Sequence, residues 1–256
     1  MSGVLPITLL EATKVSQALL QAGKEYVAVM RLHKYVDIEM VTNTLEEFEN
    51  TIFQKPPLRS SVKRQLRKRT IYYIEDVEIE GRNVLFRLGC QAGTYVRKLC
   101  HDIGEALGVG AHMAELRRTR VGSLSESRSL TTLHELIYAS NVWINEGEEN
   151  MLRQMIRPVE EALEFLPKIY IRDSTVEAIC YGADLAAPGV LKLETNIQPN
   201  TMIGIYTLKG ELVALAKALS ATEEIYKQEK GLVTDTLRVI MSKGTYPKMW
   251  KTNRNK

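Results

Sequence analysis

The 256-residue sequence has little cysteine and histidine, the residues typical of zinc sites. It has three cysteines, an odd number whose spacing matches neither a CxxC pair nor a zinc site, and we expect them to be buried free thiols: Cys90, Cys100 and Cys180. The four histidines are scattered along the chain, so no metal site is expected.

Long apolar runs are also missing. No stretch approaches the roughly 20 residues that a membrane helix needs, and the first residues lack the basic region and cleavage site of a signal peptide. Hydrophobic residues make up 45% of the chain and charged residues 25%, as in ordinary globular proteins. We therefore expect a cytoplasmic protein that makes no membrane contact.

Apolar periodicity predicts a mixture of helices and strands. Helical spacing runs over residues 8–22 and 95–107, alternation over 26–32 and 114–121, and a hairpin over 70–88. Thr44 followed by Glu47 predicts a capping box that opens a short helix before Pro56. Because some strands are linked by hairpins, we predict an α+β fold. After residue 167 the pattern changes to short strands with glycines, which predicts domains at 1–166 and 167–244 and a basic tail at 245–256.

Residues 55–69 carry seven basic side chains and no acidic one: Lys55, Arg59, Lys63, Arg64, Arg67, Lys68 and Arg69. Such a run is either a solvated face or a surface that follows phosphates. The absence of balancing acids, together with the stiff Pro56-Pro57 pair, favours RNA. A second basic cluster, formed by Arg117, Arg118 and Arg120, supports a phosphate-binding surface.

Residues 93–97, GTYVR, place Tyr95 and Arg97 in the first turn of a predicted helix. Backbone N–H groups and the helix dipole favour an anion there, and an arginine adds more donors. The alternative is a capped helix in which Arg97 makes a structural salt bridge. Taken alone, Tyr26 and Leu116 would be core residues.

Several long stretches occur in a fixed order: SGVLPITLLEATK, KEYVAVMRLH, PPLRSSVKRQLRKRTIYYIE, AGTYVRKLCHDIG and LGVGAHMAELRRTRVG. Together they resemble the TruB-type RNA pseudouridine synthases, and specifically the dyskerin branch, the catalytic subunit of archaeal box H/ACA ribonucleoproteins. The resemblance implies a catalytic domain of mixed sheet and helices, followed by a small β-rich PUA domain with GADLAAPGV (residues 182–190) at its core.

The resemblance also implies an isomerase that needs no cofactor and no metal. In this family a carboxylate attacks a flipped uridine, the glycosidic bond breaks, and the base reattaches through carbon. Carried over by motif, Tyr26 would stack on the uracil and Arg97 would pair with the catalytic carboxylate. Tyr95 and Leu116 would line the base.

The chain departs from the family at the nucleophile. The family motif reads Gly-Thr-Leu-Asp-Pro-Lys-Val, then Ser or Thr, then Gly; here only Ser2-Gly3 is present, and Met1 occupies the valine position. We expect the aspartate just upstream of Met1 in an N-terminal part that this sequence lacks, and we expect the 256-residue chain alone to be inactive. Asp102 lies more than one turn along the helix from Arg97, so it is not expected to be the nucleophile.

The resemblance implies modification of rRNA under the direction of an H/ACA guide RNA, and of the T-loop uridine of tRNA without a guide. It also implies small H/ACA protein partners, including a kink-turn binding protein. The alternative is a non-catalytic RNA-binding or scaffold fragment, since the catalytic aspartate is absent from the sequence.

Overall fold

The computed structural model describes residues 2–56, 63 and 65–249, which form two compact units. The first unit contains the described residues of 1–6 and 20–155, and the second contains those of 7–19 and 156–256. Segment 7–19 therefore packs with the second unit, although residues of the first unit follow it in sequence. The domain limits at 166 and 244 stay predictions, because packing units and functional domains are different divisions of a chain.

The first unit is built on a sheet with the strand order β1-β6-β2-β5-β4-β3, and β7 pairs with β6. Within the described part of this unit, β1 and β6 run parallel and the other paired strands antiparallel. The strands are β1 (Ser2–Gly3), β2 (Lys24–Leu32), β3 (Asn50–Gln54), β4 (Arg67–Glu80), β5 (Asn83–Cys90), β6 (Ala111–Val121) and β7 (Leu124–Ser125). The predicted hairpin is confirmed: Gly81, with φ +61°, occupies the turn between β4 and β5.

Helix α3 (Val96–Ala106) covers the central strands because its apolar residues recur at helical spacing. Leu99 and Ile103 are fully buried, and each contributes about 1.5–3 kcal/mol by leaving water. Gly104 permits close packing on β6, since a Cβ atom there would lie 2.1 Å from the backbone nitrogen of Ala111. The helix is thus fixed firmly against the sheet.

The predicted capping box at Thr44 and Glu47 is wrong. Helix α2 (Ile38–Glu47) begins earlier, because the Asp37 side chain accepts a hydrogen bond from the Glu39 backbone at 3.0 Å and caps it. Thr44 lies inside the helix, where its hydroxyl donates to the Met40 carbonyl at 2.8 Å. β3 occupies much of the stretch that was predicted to be helical.

Helices α4 (Glu126–Ser129), α5 (Leu133–Glu146) and α6 (Asn150–Met155) complete the first unit. A capping box opens α5: the Thr132 hydroxyl accepts from the Glu135 backbone at 3.3 Å, and the Glu135 carboxylate accepts from the Thr132 backbone at 2.7 Å. Gly147, with φ +74°, ends this helix.

The second unit has a five-stranded sheet with the order β12-β11-β10-β8-β9. The strands are β8 (Lys168–Ile171), β9 (Val190–Leu193), β10 (Met202–Thr207), β11 (Leu212–Ala218) and β12 (Thr234–Val239). Five short helical elements accompany them: a 3-10 turn (Leu10–Val15) that contacts β12, α7 (Val159–Ala162), α8 (Asp173–Cys180), a second 3-10 turn (Ala187–Gly189) and α9 (Thr222–Lys227). Helix α1 (Ser16–Gln21) follows the first of these 3-10 turns directly.

The predicted α+β class is confirmed: a mixed sheet with helices precedes a small β-rich unit. Within the described ranges, no helix combines the length and apolar character needed to cross a membrane.

Candidate functional site

Tyr26 and Leu116 lie on neighbouring central strands of the first unit. Tyr26 of β2 pairs with Arg118 of β6, and Ala28, two residues along β2, pairs with Leu116. Alternate residues of a strand point to the same face, so Tyr26 and Ala28 share a face of the sheet. Tyr26 and Leu116 are both partly buried against the core of this unit. The structure therefore brings these two predicted pocket residues together.

The Tyr26 phenol remains neutral over the physiological pH range. Burial raises the pKa of its hydroxyl above the ordinary value, and the nearby Arg118 guanidinium offsets part of this rise. A neutral ring that is buried on one side can still present a face for stacking against a planar base.

Tyr95 and Arg97 stand where the chain leaves the sheet next to Tyr26. β5 ends at Cys90, which pairs with Lys24, two residues before Tyr26. A short turn, residues 91–95, then leads into α3, and Tyr95 is the extended residue immediately before the helix. The GTYVR motif and Tyr26 thus occupy the same end of the sheet.

Arg97 is exposed in the first turn of α3. Among the residues that the structure describes, none forms an ion pair or a hydrogen bond with its side chain. Asp102, the acid nearest in sequence on the same helix, pairs instead with Lys98. The structural salt bridge considered for Arg97 has therefore no partner in this part of the chain.

Gln54 was missed by the reasoning from sequence, although it contacts the predicted site directly. Its side chain is 2% exposed at the end of β3. The amide nitrogen donates to the Tyr95 carbonyl at 3.2 Å, and the amide oxygen accepts from the Tyr95 backbone N–H at 3.0 Å. The signal available in the sequence was a polar residue at the end of an alternating strand, directly before Lys55.

Arg118 was predicted to contact RNA phosphates, but its guanidinium has a protein partner at the site. Its Nε donates to the Val4 carbonyl at 2.7 Å, and the Val4 N–H donates to the Arg118 carbonyl at 2.7 Å. Gly3 permits this pairing: its φ is +111°, and a Cβ atom would lie 2.1 Å from the Arg118 carbonyl oxygen. Arg118 thus joins β1 to the strand that carries Leu116.

The other two arginines of this cluster are also paired. Arg117 forms an ion pair with Glu126 at 2.7 Å. Arg120 donates to the Tyr73 hydroxyl at 2.7 Å and lies 3.4 Å from the carboxylate of Glu25. The predicted second basic cluster is therefore balanced by neighbouring groups, although the side chains of Arg117 and Arg120 remain 50% and 43% exposed and can reach a phosphate.

The basic segment, residues 55–69, begins directly after β3 and ends within β4, which pairs with β3. Arg59 and Arg64 lie outside the described residues. Lys55, Lys63 and Lys68 are exposed, whereas Arg67 and Arg69 are partly buried. The exposed lysines have no acidic neighbour within the segment. An RNA-binding role for the segment therefore stays a prediction.

The three cysteines are buried free thiols, as predicted. Burial raises the pKa of Cys90 to about 11 and that of Cys100 to about 12, so both remain protonated at neutral pH. Within the described ranges, no three His, Cys, Asp or Glu side chains cluster as metal ligands would.

In the second unit, the predicted GADLAAPGV motif lines a cavity of about 330 Å³ beside α8. Its walls are formed by Ser174, Thr175, Ala178, Ile179, Asp184, Ala186, Gly189 and Met249. The motif thus shapes a concave surface of this unit.

Three family matches cover almost the whole chain. Residues 1–96 match the N-terminal domain of the TruB family of pseudouridylate synthases. Residues 97–164 match the C-terminal domain of tRNA pseudouridylate synthase B, and residues 167–240 match the PUA domain.

Archaeal proteins are similar over nearly the full length of the chain. A probable tRNA pseudouridine synthase B of Methanopyrus kandleri is 58% identical over 249 residues, which are 97% of this chain and 73% of the relative. The protein of the same name in Thermococcus kodakarensis is 54% identical over 250 residues, 98% of this chain and 74% of the relative. The chain thus spans about three quarters of these relatives.

Solved structures agree with these matches. The crystal structure of a Cbf5-Nop10-Gar1 complex contains a chain that superposes with a TM-score of 0.93 at 53% identity, covering 96% of this chain and 75% of that one. The structure of an H/ACA RNP bound to a substrate RNA containing 2′-deoxyuridine also contains a similar chain. It superposes with a TM-score of 0.88 at 50% identity, covering 97% of this chain and 75% of that one.

Proposed function

Because the chain belongs to the TruB family of pseudouridine synthases, we propose that its first unit holds the uridine to be isomerised at the end of the sheet that carries Tyr26. One observation carries this assignment. Tyr26 and Leu116 lie together on neighbouring strands, at the end where the GTYVR turn presents Arg97, whose side chain pairs with no residue that the structure describes. An aromatic face, an apolar wall and a free cation are what a pocket for a flipped base beside a carboxylate requires.

The reaction exchanges one glycosidic bond for another. The bond between C1′ of the ribose and N1 of the uracil breaks, a bond between C1′ and C5 forms, N1 takes up a proton and C5 releases one. Removing the base from its stack costs a few kcal/mol, which stacking on Tyr26 and contact with Leu116 offset. Arg97 holds the attacking carboxylate ionised and in place.

The nucleophile in this proposal is the aspartate of the family motif, whose position falls before residue 1. β1 supports this placement. Ser2 pairs in parallel with Arg117, and Gly3 pairs with Arg118. Arg117 directly follows Leu116, a wall of the proposed pocket, so the first described residue of β1 lies next to the site. In the proposal the aspartate reaches the site from this side.

The substrates we propose are rRNA uridines selected by an H/ACA guide RNA and the T-loop uridine of tRNA. Support comes from the relatives named probable tRNA pseudouridine synthase B and from the similar chain in an H/ACA RNP bound to substrate RNA. The proposed partners are guide RNA and small proteins such as those in the Cbf5-Nop10-Gar1 complex, together with a kink-turn binding protein. The proposed location is the cytoplasm, and the PUA unit and the basic segment would hold the RNA.

A non-catalytic RNA-binding protein is the second candidate. One observation favours it: among the described residues, no carboxylate forms an ion pair with Arg97. The two candidates differ in the reaction that follows RNA binding.

The test compares two chains. One is the 256-residue chain, and the other, here called the extended chain, carries Gly-Thr-Leu-Asp-Pro-Lys before residue 1 and valine at position 1. Each is given a T-loop hairpin RNA, or rRNA with guide RNA and partner proteins, labelled with tritium at uridine C5. We expect both chains to bind RNA and only the extended chain to release tritium. If the extended chain bound RNA but released no tritium in either RNA system, only the non-catalytic function would remain.

A further inference from the structure

Gln54 connects two parts of the molecule that are far apart in sequence. Its amide donates to and accepts from the backbone of one residue, Tyr95, which lies 41 positions later. Two reciprocal hydrogen bonds from one buried side chain fix both the distance and the orientation of that residue. Tyr95 is also the residue that precedes the first turn of α3. Gln54 is therefore hydrogen-bonded to the residue at the helix start, two positions before Arg97.

Gln54 also closes the basic segment. It is the last residue of β3 and pairs with Arg67, the first residue of β4. The connection between these two strands, residues 55–66, therefore begins and ends at the Gln54–Arg67 pair.

Two further contacts join the strands that flank the connection to the turn at 91–95. The Gln91 side chain accepts from the Thr70 backbone at 3.2 Å, and the Gln91 N–H donates to the Thr70 carbonyl at 2.8 Å. The Arg69 guanidinium packs closely against Gly93: a guanidinium nitrogen lies 3.1 Å from the position that a Cβ atom would take there. The whole turn is thus held by strands β3 and β4 at the base of the basic segment.

From these contacts we propose that Gln54 is a positioning residue: it holds Tyr95 and Arg97 in their working positions when RNA binds the basic segment. The proposal rests on the function proposed above. In it, RNA held by the exposed lysines stabilises the paired base of the connection, and the Gln54 amide passes that stabilisation to the start of α3. Gln54 itself touches neither substrate nor nucleophile.

The first test separates turnover from binding. In the extended chain, Gln54→Leu keeps a side chain of similar size but removes both hydrogen bonds. We expect turnover at saturating RNA to fall by about tenfold to a hundredfold, since small misplacements at a site have effects of this size. The RNA dissociation constant should change less than about twofold, because no phosphate contact is removed. Gln154→Leu, the same change at an exposed position of α6 in the same unit, should leave both quantities unaltered.

Gln54→Glu provides the conservative variant. A protonated carboxyl group can donate and accept as the amide does, whereas a carboxylate can only accept. Turnover by this variant, relative to the unchanged protein at the same pH, should therefore rise as the pH falls, and Gln54→Leu should show no such recovery. If Gln54 were merely structural, Gln54→Glu would alter the melting temperature. Its turnover, measured well below that temperature, would then show no such recovery at low pH.

A second measurement does not require catalysis. Hydrogen exchange of residues 91–97 should slow when the hairpin RNA binds the unchanged 256-residue chain, and should not slow in Gln54→Leu even with RNA bound. If the extended chain forms no pseudouridine, the proposed function fails while this exchange experiment still tests Gln54. Equal slowing in both proteins, or unchanged turnover in Gln54→Leu, would overturn the proposal.

Discussion

Replacing Arg97 with alanine should remove most turnover by the extended chain while leaving its folding intact. The side chain is exposed and contacts no described residue through a hydrogen bond or an ion pair. Exposed substitutions of this kind change the free energy of unfolding by less than about 0.5 kcal/mol. For a protein of this size the melting temperature then moves by no more than about 2 °C.

The expected loss of activity is much larger. A hydrogen bond to an ionised group contributes about 1.5–3 kcal/mol, and an arginine can make two of them to one carboxylate. Two bonds at the lower end of this range contribute about 3 kcal/mol, which corresponds to a rate loss of roughly a hundredfold. Tritium release from RNA labelled at uridine C5 measures the rate, and filter binding should show an unchanged affinity for guide RNA.

A matched control is Arg153→Ala, which removes an exposed arginine of α6 in the same unit. This arginine pairs with Glu149. The substitution should leave both the melting temperature and turnover essentially unchanged, because an exposed ion pair contributes little to stability. If Arg97→Ala instead lost melting temperature and turnover in parallel, Arg97 would be a structural residue and the assigned role would be wrong.

Three further predictions concern the basic segment, the stacking residue Tyr26 and the hydrogen-bond network of Glu25. Replacing Arg59, Lys63, Arg64 and Arg67 together with alanine should lower the salt dependence of RNA binding by roughly one unit of log–log slope per lost phosphate contact; an unchanged slope would make the segment a solvated face. Tyr26→Ala should reduce turnover severely and Tyr26→Phe only mildly, because phenylalanine still stacks; equal losses would contradict stacking. Glu25→Gln should lower the free energy of unfolding by about 1–2 kcal/mol at pH 7 and by less in acid, as measured by thermal melting at several pH values. A loss of stability that does not vary with pH would contradict an ionised Glu25 carboxylate.

The sign of the Glu25 prediction follows from its surroundings. Burial alone would raise the pKa of its carboxyl group, but hydrogen bonds from Tyr73 and Thr119, with Arg120 and Arg87 close by, hold that pKa below its usual value. A carboxyl whose pKa is lowered by folding stabilises the protein above its unfolded pKa of about 4.3. That stabilisation disappears as the pH falls through the folded pKa, so the unchanged protein and Glu25→Gln should converge in acid.

Local patterns predicted the parts of the fold that depend on local chemistry. Alternating residues predicted strand β2 and the β4–β5 hairpin, and the structure has both. The Thr44 prediction failed because another cap, Asp37, lies seven residues earlier and starts the helix first. Two capping patterns in one stretch cannot be ranked without knowing which turn of helix can bury Val41 and Leu45.

The candidate site was only partly predictable. Motif resemblance selected Tyr26, Tyr95, Arg97 and Leu116, but the roles of Gln54 and Arg118 depend on strand register. A glutamine that binds the backbone of a residue 41 positions away leaves no periodic signal. Arg118 looked like a phosphate ligand because it lies among other arginines, whereas its neighbour across the sheet is β1, placed there by Gly3. The packing of segment 7–19 with the second unit is equally invisible to local patterns.

The most direct test of the account is pseudouridine formation by the extended chain and by the same chain with asparagine in place of the motif aspartate. Both should bind the T-loop hairpin RNA with similar affinity, since neither change touches the basic segment. The aspartate chain should release tritium from uridine C5, and neither the asparagine chain nor the 256-residue chain should release any. Turnover by the 256-residue chain itself, or equal turnover by the aspartate and asparagine chains, would contradict a site in which Arg97 and Tyr26 serve a carboxylate that enters beside β1.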